Sequence, residues 1–190
     1  MAKTIEEYDP TFHPHLDKKS IMELFDLSLL PKHENVIFLG PPGVGKTHLA
    51  IALAIKACYH GFRVYFTTMH TLIVKLMESQ AKGKAYLNSR LVIVDEVGYL
   101  PITTQAAYLF FQIVSYRYEK SSTIITSNKS FADWQELFGD PVIASAILDR
   151  LLHHCRVINI KGHSYRLRDH AFAKQLSQKG GDSTISATPD

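Results

Sequence analysis

The chain has 190 residues, 46% hydrophobic and 21% charged, with a net charge of +3 and two cysteines. That is the composition of one globular domain with a real core, and no apolar run is long enough to cross a membrane. The first ten residues lack the apolar stretch of a secretory signal, and the distant Cys58 and Cys155 read as buried free thiols of a reducing, cytoplasmic compartment.

Residues 1–34 form a lead-in segment broken by Pro10, Pro14 and Pro31. Within it, Ile21, Leu24, Phe25 and Leu27 share one face of a helix predicted over 18–27. Residues 35–39 read as a strand and 47–57 as a helix that stops before Gly61. A second strand follows over 63–67. A helix then runs from Met69 to near Gln80, with Leu72, Ile73, Leu76 and Met77 on one side, and 81–85 is a polar connector. Residues 91–94, all apolar, suit a central parallel strand. Thr103 caps a helix reaching Glu119, and 122–126 is the next strand. Asp140-Pro141 opens a helix to His153, since aspartate caps and proline suits the first helical position. Residues 155–160 form another strand, with 164–168 pairing beside it, and 177–190 are expected to be a disordered tail. Strands alternating with helices imply a doubly wound, mostly parallel α/β sheet with helices on both faces, in a domain spanning 35–176.

Residues 40–47, Gly-Pro-Pro-Gly-Val-Gly-Lys-Thr, match the phosphate-binding pattern G-x-x-x-x-G-K-[ST], placed between a strand and a helix as that pattern requires. Gly40, Pro41, Pro42, Gly43, Val44 and Gly45 wrap a triphosphate, the non-proline residues offering backbone N–H groups, and the helix opening through Thr47 and His48 adds its positive end. Lys46 reaches the β- and γ-phosphates, and Thr47 places a hydroxyl on Mg²⁺. The cofactors read from this loop are a nucleoside triphosphate and Mg²⁺. Asp95 and Glu96 emerge where a buried strand ends. Asp95 suits the Mg²⁺ shell, and Glu96 suits orienting and deprotonating water. Asn128 ends the next strand, either touching the attacking water and γ-phosphate or simply forming a turn. Glu96 and Asn128 together favour hydrolysis over a nucleotide-gated scaffold or a small-molecule kinase.

Two other features are less specific. Residues 150–179 carry seven lysines and arginines against Asp169, a stripe that suits DNA, nucleotide phosphate or plain solvation. His153-His154-Cys155 sits at a helix-to-strand junction, which is expected to splay adjacent side chains and so not to form a zinc site.

The chain resembles the AAA+ ATPases of the IstB/DnaC group, and most closely the IstB-like helpers of insertion-sequence transposition. The likeness is carried by residues 38–50, Asp95-Glu-Val-Gly-Tyr-Leu-Pro101, Arg117-Tyr-Glu119, 125–129, 138–141, 146–154 and 161–166. It implies a P-loop NTPase of the AAA+ kind that forms homo-oligomers with ATP, assembles on double-stranded DNA and serves a transposase. A DnaC-like replicative helicase loader is the alternative. It also implies that Arg150, in Leu148-Asp-Arg-Leu151, is an arginine finger acting in trans. From the residues alone, Arg150 is a helix arginine beside Asp149. Arg166 matches a sensor arginine near the phosphates, or else a structural strand arginine. Relatives of this kind begin with a small helical domain that this chain lacks, so it looks truncated, and the 81–90 connector looks short. In related initiators the elements near there approach DNA, so the likeness implies that Lys82, Lys84 and Arg90 approach DNA here or else form a solvated basic loop, the reading preferred from the residues.

Overall fold

Alternation along short apolar strands decides which side of the sheet each side chain fills. The computed structural model describes residues 3–9, 16–78 and 85–165. In chain order its elements begin α1 (Lys18–Leu24), β1 (Asn35–Leu39), α2 (Lys46–Tyr59), β2 (Val64–Thr68), α3 (Met69–Met77), α4 (Ala85–Asn88) and β3 (Leu91–Val97). They continue α5 (Thr104–Arg117), β4 (Ser122–Ser127), a 3₁₀ turn (Phe131–Asp133), α6 (Trp134–Phe138), α7 (Pro141–Leu152) and β5 (Cys155–Asn159).

Val36 and Phe38 of β1 face one side of the sheet and Ile37 the other. Leu91 and Ile93 likewise oppose Val92 and Val94 in β3, and Ile124 opposes Ile125 in β4. This is the two-residue period of a strand. Both faces are apolar, so both are covered. Leu49 and Leu53 of α2 and Leu24 of α1 close the first. Leu72, Phe110, Phe138, Ile147 and Trp134 close the second from α3, α5, α6 and α7. There the Trp134 ring meets Phe138 edge-on at 5.6 Å, and Phe138 stacks on Phe110 at 5.9 Å.

The sheet order is β2-β3-β4-β1-β5, and every neighbouring pair is parallel. All five strands therefore end at the same edge, where ligands of open α/β sheets bind. The expected caps are present. The Thr103 hydroxyl accepts the Ala106 N–H, and the Asp140 carboxylate accepts those of Val142 and Ile143 ahead of α7.

Several expectations require correction. The first helix ends at Leu24, and Leu27 adopts a left-handed φ of 56°. The connector carries a helix, α4, and two short helical segments precede α7. Of the segment expected to pair with β5, the described part, Ser164 and Tyr165, turns to the glycine loop instead, where the Tyr165 N–H donates to the Gly43 carbonyl at 3.0 Å. Cys58 is exposed near the end of α2 rather than buried mid-helix, and Cys155 is half-buried. Arg90 is held by the Leu30 and Lys120 carbonyls, and Arg156 pairs with Glu34 at 3.0 Å and Glu23 at 3.9 Å, so neither is a free cation of a basic loop or stripe. Arg166, Lys82, Lys84 and the 177–190 tail lie outside the described residues.

Candidate nucleotide site

The glycine loop joins β1 to α2 and shapes a cradle through its backbone. Gly45 precedes α2 with φ of 96°, and a Cβ there would lie 2.8 Å from the Tyr8 ring. Gly40 has φ of 146°, and a Cβ there would run into the Ile160 carbonyl oxygen. Only glycine meets both demands. Lys46 opens α2 and is 95% shielded, with 5% exposure. Its ammonium donates to the Gly40 and Pro41 carbonyls at 2.6 and 2.7 Å, which holds the charge over the loop. Residues 42–48 thus form one surface around a cavity of about 310 Å³, within the size range of small-ligand pockets, with Gly40 and Pro41 behind it as acceptors for Lys46.

An irregularity in the sheet sets Glu96 on this cavity and Asp95 behind it, against Thr47. β3 and β4 stay in register to Val94 and Ile125, then resume at Val97 and Ser127, so β3 carries one extra residue. Such a bulge re-aims side chains at a strand end. Glu96 sits in it with φ of 62°, exposed to the cavity, while Asp95 is buried at 4% exposure. A buried carboxylate needs partners, and Asp95 Oδ1 has two. The Thr47 hydroxyl donates to it at 2.9 Å, and the Thr126 hydroxyl donates to it in a short hydrogen bond. The same Thr126 oxygen accepts the Glu96 N–H at 3.0 Å. Thr126 is thus the post on which the bulge is pinned. Sequence reasoning passed over it, although its place at the end of β4, next to the strand bearing the carboxylates, was a usable signal.

Asn128 follows β4, and its buried Oδ1 has no hydrogen-bond partner among the described residues. It lies beside Gly98, where an added Cβ would come within 3.3 Å of it.

The lead-in segment also belongs to the site, which the sequence did not reveal. Lys3, Glu7, Tyr8 and Asp9 line the cavity. The Thr4 carbonyl meets His48 Nε2 at 2.7 Å, and the Tyr8 and His48 rings lie 5.6 Å apart. The Tyr8 hydroxyl is buried without a partner among the described residues, and burial, helped by the Asp9 charge, pushes its pKa up to about 12.

Arg150 is not in this cavity. It lies near the end of α7, at the edge where β5 begins, whereas Lys46 lies at the edge where β1 ends. Five strand residues separate those edges by roughly 16 Å. Its guanidinium stacks over Phe111 at 4.7 Å and donates to the Ala146 carbonyl. The fold therefore gathers Lys46, Thr47, Asp95 and Glu96, and leaves Arg150 apart.

These groups fit a polyphosphate with a hard cation. A buried ammonium faces the loop, and a hydroxyl and a carboxylate oxygen converge at 2.9 Å. Among the described residues, no helix is long and apolar enough to cross a membrane.

Comparison with known proteins agrees with this geometry. The family model described as IstB-like ATP binding protein matches residues 1–173. The ATP-binding protein of insertion sequence IS21 from Pseudomonas aeruginosa is 49% identical over 99% of this chain and 71% of its own length. That of insertion sequence IS5376 from Geobacillus stearothermophilus is 45% identical, over 88% of this chain and 69% of its own. Among solved structures, the DnaC helicase loader aligns with a TM-score of 0.64 at 29% identity, covering 75% of this chain and 87% of that one. AMPPCP-bound DnaA from Aquifex aeolicus aligns at 0.65 and 22% identity, over 94% of this chain and 56% of that one, a likeness of fold. The fold is thus that of the AAA+ P-loop NTPases, and the chain belongs to the IstB-like ATP-binding family of insertion-sequence proteins.

Proposed function

We propose that this chain is the ATP-hydrolysing module of a DNA transposition helper, working with Mg²⁺ between copies of itself. The observation that carries the reading is the link from Thr47 through Asp95 and Thr126 to Glu96, beside a buried Lys46. Lys46 and the loop N–H groups bind and orient the phosphates. Thr47 and Asp95 hold Mg²⁺, which supplies charge neutralisation when bound. Glu96 accepts the proton of the attacking water, and Asn128 orients that water. Arg150 serves the nucleotide of a neighbouring subunit, a contribution typically worth about 10³–10⁵-fold in turnover, and its distance from its own loop supports that assignment. Arg166 is assigned to the phosphates by family likeness alone.

The test is release of inorganic phosphate with ATP, Mg²⁺ and no added acceptor. Turnover that stops in Glu96→Gln supports hydrolysis. Activity only with an added acceptor turns the reading into a kinase. The helper is further proposed to assemble on double-stranded DNA with ATP and to recruit or regulate a transposase, a reading supported by its likeness to ATP-binding proteins of insertion sequences. DNA affinity is expected to fall steeply with salt and to depend little on sequence. A second reading, a replicative helicase loader, draws on the likeness to DnaC at 29% identity. Pull-downs with a transposase and with a replicative helicase separate the two.

A further inference from the structure

The edge of the sheet opposite the glycine loop carries a cluster of donors that the nucleotide chemistry does not use. Glu119 lies in the turn between α5 and β4, in a left-handed conformation with φ of 57°. His153 and His154 join α7 to β5. Adjacent side chains were expected to splay here. The structure corrects this: the two imidazole rings lie 4.1 Å apart, centre to centre, and both face Glu119. His153 Nδ1 is 3.6 Å and His154 Nε2 3.7 Å from the same Glu119 oxygen. The three donor atoms all lie within 4.8 Å of one another.

We propose that Glu119, His153 and His154 form a binding site for a zinc-like divalent transition-metal ion, with three protein ligands and one open position. Imidazole nitrogen and carboxylate oxygen are the donors such ions choose. Bond lengths of about 2.0–2.2 Å place tetrahedral donors about 3.3 Å apart, so each histidine-to-Glu119 spacing needs to close by only a few tenths of an ångström, and the two imidazole donors, within 4.8 Å of each other, by a side-chain rotation of at most about 1.5 Å. The ligands are also held from behind. The His153 N–H donates to the Asp149 carbonyl at the end of α7, and the His154 carbonyl accepts the Asn35 N–H at 2.7 Å. The Tyr118 hydroxyl, 2.8 Å from His153 Nδ1, steadies that ring and is displaced when a metal takes the nitrogen. Cys155 packs against the core and is not one of the clustered donors. All three ligands are exposed, so an ion reaches them without any opening of the fold. Once bound, it ties the α5–β4 turn to the α7–β5 junction.

The test is a calorimetric titration of Zn²⁺ into the full chain carrying Cys58→Ser, which removes the exposed thiol as a competitor. The expected result is one ion per chain. His154→Ala and Glu119→Gln should each weaken binding by about tenfold or more, with unchanged circular dichroism and unchanged affinity for a fluorescent ATP analogue. Binding of less than one ion per chain overturns the site. So does an affinity that neither substitution alters, which would place the ion on other histidines.

Discussion

The Thr47 hydroxyl donates to Asp95 Oδ1 at 2.9 Å, joining residues 48 positions apart in the chain. It fastens the first turn of α2 to the end of β3. This contact turns a glycine loop and a strand-end carboxylate into one site, because a hydroxyl and a carboxylate that meet this closely can share a divalent cation.

Lys46→Ala should abolish nucleotide binding. The ammonium is buried at 5% exposure and tied to the Gly40 and Pro41 carbonyls, so it is positioned before any ligand arrives. Loss of that point charge leaves the β- and γ-phosphates uncompensated. Equilibrium titration with a fluorescent ATP analogue measures it, and wild-type affinity in the variant would remove the loop from the mechanism.

Thr126→Val keeps the side-chain volume and deletes the hydroxyl that serves both Asp95 and Glu96. The buried carboxylate loses a donor and the Glu96 N–H loses its acceptor, at an expected cost of about 1–3 kcal/mol in urea unfolding. Phosphate release should fall more than nucleotide affinity, since the bulge aims Glu96 while Lys46 holds the phosphates. Turnover equal to wild type would show that Thr126 does not position Glu96.

The two thiols should react very differently. Cys58 is exposed, while burial pushes the Cys155 thiol up to about 12. The thiolate is the reacting species, so a raised pKa leaves almost none of it at neutral or mildly alkaline pH. Mass spectrometry after brief alkylation at mildly alkaline pH should find one label, on Cys58. A label on Cys155 in the folded protein would contradict its packing.

The strands and the capped helices were legible in the sequence because local chemistry specifies them. Asp140-Pro141 and Thr103 mark their helices by capping, and the apolar runs mark strands that are covered on both faces. The phosphate loop was equally plain, since its glycines and lysine sit at fixed spacing. What escaped depended on long-range contact. The bulge at Glu96 exists only because β3 meets β4 and Thr126 there. Tyr8 covers Gly45 from a segment that carries no motif of its own. His153 and His154 were read as splayed because a junction between elements follows no fixed side-chain period. Only the turn carrying Glu119 brings a common partner to both rings.

The central claim, hydrolysis at a site shared between subunits, is tested most directly by mixing two inactive variants. Arg150→Ala keeps an intact Glu96, and Glu96→Gln keeps an intact Arg150. The Arg150 guanidinium sits over Phe111 at the sheet edge away from its own glycine loop, so each variant should bind ATP and fail to hydrolyse it alone. The account predicts that the mixture, with co-assembly shown separately, regains phosphate release at interfaces pairing the intact halves. A co-assembled mixture that stays inactive would contradict it and leave Arg150 a structural residue of α7.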